Sequence, residues 1–98
     1  MFETLVGLDV ADEEAYAAYR AEMTPILESY GGSFRFDATI AKTLRSELPH
    51  AVNRLFVIGF PDASTRDRFF ADPAYLRVKA ARFAPAVRHV AVLAEYVR

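Results

Sequence analysis

Apolar residues recur along this chain with two different periods, and the switch between them marks six segments. Residues 2–10 alternate, with Phe2, Thr4, Val6, Leu8 and Val10 on one side and Leu5 and Gly7 on the other, which predicts a strand. Asp12 then suits a helix N-cap, and Glu13 and Glu14 place negative charge on the first turn, where the helix dipole favours it. Tyr16, Tyr19, Met23, Ile26 and Tyr30 recur at spacings of three and four, the apolar stripe of an amphipathic helix. Pro25 removes one backbone hydrogen bond, which predicts a kink or a restart capped by Thr24. Gly31-Gly32 ends the helix in the left-handed conformation that glycine adopts at little cost.

A long second strand is expected from Ser33 to about Leu44, with Phe34, Phe36, Ala38 and Ile40 on one face and Arg35, Asp37, Thr39 and Thr43 on the other. Residues 45–53 read as a loop around Pro49, and a third strand follows at 54–60. Asp62 caps a short helix through Ala71, and Asp72-Pro73 restarts it with a cap followed by proline at the first helical position. The second piece is expected to run to about Phe83 and to stop at Pro85; Val87 to Val97 is the last strand. The order β-α-β-β-α-β predicts an α+β, ferredoxin-like fold: a four-stranded antiparallel sheet with its helices on one face.

The third strand, Arg54-Leu55-Phe56-Val57-Ile58-Gly59-Phe60, is apolar on both sides. A sheet covered on one side only normally alternates apolar with polar residues, so a second covering is expected. With 98 residues in a single domain spanning 1–98, that covering is expected to be a second copy of the chain, docked through the sheet face. Such a face hides about 800 Å² per subunit, the size of a specific interface. Thirteen aromatics, eight Phe and five Tyr, agree with a chain that hides more surface than one small core provides.

Charge and composition then exclude several classes. A net charge of −1 supplies no field for nucleic acid or an anionic membrane. The third strand also lacks the Gly-aromatic-Gly/Ala signature of RNA-recognition sheets. No cysteine is present, so disulfides, thiolate nucleophiles and cysteine metal sites are out. No basic leader or run of 18 apolar residues occurs, and the expected location is the cytoplasm. No cofactor or metal is expected; no Ser-His-Asp elbow, zinc spacing or dinucleotide fingerprint occurs. Gly31-Gly32 closes a helix rather than opening one, which rules out a phosphate loop.

Arg82 lies seven residues after Tyr75 and four after Val78, on a stripe expected to face the sheet. It reads either as an anion clamp in a pocket between helix and sheet or as half of an internal ion pair with Asp9 or Asp37. Tyr16, Tyr19 and Tyr75 read either as the lining of a small-molecule cavity or as core bodies with wet tips. Met23 and Phe69 read as core. His50 is expected in a solvated loop and His89 on the sheet face that looks toward the partner. Asn53-Arg54 reads as a strand start. No catalytic residue can be assigned.

Several of these marks together resemble the family named domain of unknown function 1330, a branch of the dimeric α/β-barrel superfamily. They are Tyr16 and Tyr19, Tyr30-Gly31-Gly32, Phe60-Pro61, Asp72-Pro73-Ala74-Tyr75 and Arg82. The chain departs from the pattern at Phe69, where the family commonly has Trp, and at Asp72, where it commonly has Ser; both swaps keep the physical role. The resemblance implies a homodimer whose sheets face each other. It implies no settled activity, since related branches include cofactor-free monooxygenases, haem-handling enzymes and stress-induced proteins. Two readings stand: a binder of a small organic molecule, in its enzymatic form a cofactor-free monooxygenase-like protein, or a non-catalytic dimeric structural or stress-related protein without a ligand.

Overall fold

In the computed structural model, which describes all residues from Met1 to Arg98, β1 (Phe2–Val10) and β3 (Arg54–Phe60) form the middle of a four-stranded sheet. The edges are β2 (Ser33–Thr39) and β4 (Val87–Val97), in the order β2-β3-β1-β4, and every pairing is antiparallel. Helices α1 (Glu13–Ser29), α2 (Ala63–Ala71) and α3 (Pro73–Val78) pack on one side. This is the ferredoxin-like arrangement expected from the pattern. No helix is long and apolar enough to cross a membrane.

Caps set the helix ends. Asp12 accepts from the Ala15 amide at 3.0 Å, and Asp62 accepts from the Thr65 amide at 2.7 Å. Asp72 takes the Ala74 and Tyr75 amides and also the Tyr30 hydroxyl, at 2.7 Å, so one carboxylate caps α3 and ties it to the end of α1. At that end the Gly31 amide reaches the Glu28 carbonyl and the Gly32 amide reaches Leu27, a Schellman closure with Gly31 at φ 71°. Pro25 does not break α1. Thr24 donates its hydroxyl back to the Arg20 carbonyl at 2.5 Å instead of capping a new helix.

Two departures from strict alternation reset the sheet faces. β2 stops at Thr39 rather than Leu44, because the Ile40 amide makes the last rung to Asn53 and the chain then leaves the sheet. Within β2 the register shifts between Phe34 and Phe36. Phe34, opposite Ile58, therefore faces the helices, while Phe36 and Ala38, opposite Val57 and Leu55, face outward. β4 shifts twice against β1, with Arg88 and Leu93 as the extra residues. Val90 and Val92 lie on the helix side, and His89, Ala91, Ala94 and Tyr96 lie on the outer one.

The third departure is in the last helical region. A single helix to Phe83 was expected; α3 ends at Val78, a π turn spans Lys79–Phe83, and a short α4 (Ala84–Ala86) follows. The Ala84 amide bonds the Lys79 carbonyl five residues back, so one additional residue is accommodated.

The core lies between helices and sheet, built on Leu8, Tyr16, Met23, Leu27, Phe60 and Phe69. The outer face is partly closed by its own chain. Gly59 leaves room for Glu3 to cross β3 and meet Arg35 on β2. At the other end residues 40–53 lay Val52 on Gly7, where a Cβ would come within 2.9 Å of Val52 Cγ1. Val57 is thus buried within one copy of the chain, whereas Phe36 keeps 51% of its surface exposed.

Candidate functional site

Between the helices and the sheet lies a cavity of about 290 Å³. Its floor is Val6, Leu8, Phe56 and Ile58 from the two central strands, with Phe34 at one side. Tyr16, Tyr19 and Met23 of α1 and Tyr75 of α3 form the roof, and Phe83 of the π turn closes it. The mouth is toward β4, where Arg66, Phe70, Lys79, Val90, Val92 and Glu95 meet. Val92 is 60% exposed there.

Three of the four residues singled out from the sequence come together in this cavity: Tyr16, Tyr19 and Tyr75. Arg82 does not join them. It is half exposed on the surface, its Nε donating to Glu22 at 2.6 Å. The expectation that it faces the sheet and pairs with Asp9 or Asp37 fails because the extra residue of the π turn advances the helical stripe by one position. Phe83 takes the inward place and packs edge-on against Tyr19 at 5.0 Å between ring centroids.

The internal arginine is instead Arg20, only 15% exposed. Its guanidinium lies 3.6 Å above the Phe34 ring, and its Nε donates to the Tyr16 hydroxyl at 2.9 Å. Its buried Nη2 stands 3.0 Å from Asp37 Oδ1 at an angle that gives an ion pair rather than a hydrogen bond. Asp37 also accepts two hydrogen bonds from Arg54, which reaches Glu13 as well. Burial alone would raise the Asp37 carboxyl, but the Arg54 hydrogen bond and the nearby Arg20 charge hold it below its ordinary range. Asp37 was expected among the polar residues of β2, but its position on the helix side follows from the bulge.

Burial pushes all three cavity phenols up. Each therefore stays protonated at neutral pH and serves as a hydrogen-bonding group, not as a phenolate. Tyr19 and Tyr75 share one hydrogen bond at 2.8 Å. Two hydroxyls hold two protons, and the pair uses one, so the other can be donated to a ligand oxygen.

The remaining candidates lie elsewhere. Asn53 mimics a strand residue, accepting from the Val10 amide at 2.8 Å and donating to the Val10 carbonyl at 2.9 Å. His50 and His89 stack face to face on the outer side, ring centroids 3.5 Å apart and planes within 5°. Their separation in sequence carries no signal of that contact. Asp9 pairs with Arg88. Glu3, 1% exposed, accepts from Arg35 and Arg98. The Arg35 hydrogen bonds above all hold its carboxyl down to about 2.

Fold and cavity together define a ferredoxin-like α+β protein with an aromatic-lined chamber under its helices. The family named domain of unknown function 1330 (DUF1330) matches residues 4–96, and the chain belongs to it. None of the curated proteins compared matches it. Among solved structures it is similar to RPA0582, a protein of unknown function from Rhodopseudomonas palustris, with 19% identity, TM-score 0.82, and 99% of this chain and 82% of that one covered. An uncharacterised NIPSNAP domain protein from Burkholderia xenovorans shares 20% identity at TM-score 0.72, covering 100% and 94%. SnoaB, a cofactor-independent oxygenase from Streptomyces nogalater, shares 13% identity at TM-score 0.61, covering 99% and 94%. These likenesses establish the fold.

Proposed function

We propose that this protein binds a small organic molecule in the chamber between helices and sheet. The observation that carries the reading is the cavity itself. A 98-residue chain that leaves about 290 Å³ open beside its core forgoes packing that natural interiors otherwise complete. The volume is at the small end of the roughly 300–1,000 Å³ typical of ligand pockets, and it combines an apolar lining with a few convergent polar groups. The Tyr19–Tyr75 pair supplies a fixed hydroxyl donor at its wall. A ligand-free structural role would leave this space and its donor without use.

The finer form of the reading is a cofactor-free, oxygenase-like enzyme, supported by the likeness to a protein named for that activity. Its check is oxygen uptake in the presence of a bound aromatic compound. Assembly belongs to the same proposal: two copies meet through their outer sheet faces, around Phe36, Leu5, Leu55 and Ala94, with the helices and the cavity mouths left free.

Thermal unfolding with 2-naphthol, a neutral aromatic probe, tests the binding reading. The wild-type midpoint is expected to rise with probe concentration. Val92→Phe, which fills the mouth from an already exposed position, is expected to fold normally and lose the response. No shift in the wild type, or equal shifts in both proteins, overturns the reading.

A further inference from the structure

We infer that the ligand is an apolar carboxylic acid whose body occupies the chamber and whose anionic head sits at the mouth against Lys79. The inference rests on the binding reading above and adds the ligand's class and the residue that selects it. Two cations border the cavity, Arg66 and Lys79. Arg66 is already engaged: its Nε donates to Asp67 at 2.7 Å, its Nη1 donates to Glu95 at 2.8 Å, and its guanidinium lies over the Phe2 ring. Asp67 and Glu95 together more than neutralise Arg66, which therefore offers a ligand no free positive charge. Lys79 is exposed and borders the cavity, and none of the chain's ion pairs includes it. It is the one positive charge at the opening that no carboxylate of this chain answers.

The backbone puts it there in an unusual way. Lys79 opens the π turn and Phe83 ends it, and both border the chamber. A π turn has poorer backbone geometry than a continuous helix and recurs at functional positions. Here it brings Lys79 and Phe83 to the border of the same chamber within five residues. Around them the interior offers Tyr19, Phe34, Phe56 and Ile58, surfaces that suit aromatic or acyl carbon. At the mouth, Phe70 and Val92 remain partly bare. A body that fills the chamber and a single negative charge where it emerges match this layout, whereas a cation meets Lys79 and a wholly polar anion gains nothing from the walls.

Fluorescence titration of the full chain with 2-naphthoate and with neutral 2-naphthamide tests the inference; the absence of tryptophan keeps the naphthyl signal clear. The acid is expected to bind about five- to tenfold more tightly than the amide, the range of a charge-assisted contact at a partly exposed site. Lys79→Met is expected to erase that preference, and Lys79→Arg to restore it. Raising sodium chloride from 50 to 500 mM is expected to weaken the acid alone. This salt dependence is a second reading on the wild type itself. Equal binding of acid and amide, or a preference that survives Lys79→Met, overturns the assignment while the cavity reading stands. Failure of both probes to bind overturns the two together.

Discussion

The hydroxyl of Tyr19 on α1 and that of Tyr75 on α3 stand 2.8 Å apart inside the cavity wall, a direct polar tie between those two helices. Both rings are buried, so removing one hydroxyl leaves its partner unsatisfied. Tyr75→Phe is expected to cost about 1–2 kcal/mol. The double change with Tyr19→Phe is expected to cost less than the sum of the single ones. Denaturant midpoints of the four proteins give the coupling, and strict additivity contradicts it.

Glu3 makes stability depend on acid. Its carboxyl titrates at about 2 in the folded chain and near 4.5 when free, because Arg35, and after it Arg98, donate to the ionised form. The unfolded state therefore binds the proton more readily. The stabilisation is complete above about pH 4.5 and is lost as pH falls through about 2. Glu3→Gln is expected to lower stability at pH 7 and to flatten the slope of unfolding midpoint against pH across that interval. A mutant slope equal to that of the wild type contradicts this.

Arg82→Ala is expected to change little. The pair with Glu22 is half exposed on both sides, and such pairs contribute about 0–1 kcal/mol. Naphthyl binding should be unaffected, since Arg82 does not border the cavity. A loss of binding in this variant would mean that the π turn does not hold its register in solution.

Phe36→Glu puts a charge in the middle of the proposed contact between copies. Sedimentation of the wild type is expected to give twice the chain mass of 11.0 kDa, and the variant is expected to sediment as single folded chains. A monomeric wild type removes the proposed assembly.

Most of the fold was legible because period and punctuation agreed. Residues 2–10, 54–60 and 87–97 carry strand patterns bounded by caps and prolines, and they form β1, β3 and β4. What escaped was every place where one residue is added without a mark in composition. The bulge at Arg35–Phe36 sends Phe34 and Phe36 to opposite faces, and the alternation rule, which assumes a strict period of two, put them together. The π turn did the same to Arg82 and Phe83. Tyr16, Tyr19 and Tyr75 come together at one cavity because they sit on elements of regular pitch upstream of that insertion. Arg20 was missed since nothing in a charged residue between two tyrosines announces that its guanidinium will lie over Phe34.

The extra residue between Lys79 and Phe83 also bears on how this chamber could change in descent. Loss of one alanine codon there would rewind the segment to ordinary pitch and leave the phenyl ring inward, because the deletion removes the residue that the wide turn absorbs. The chamber wall is thus buffered against a single in-frame deletion, whereas rewinding the same residues without that loss would turn Arg82 inward.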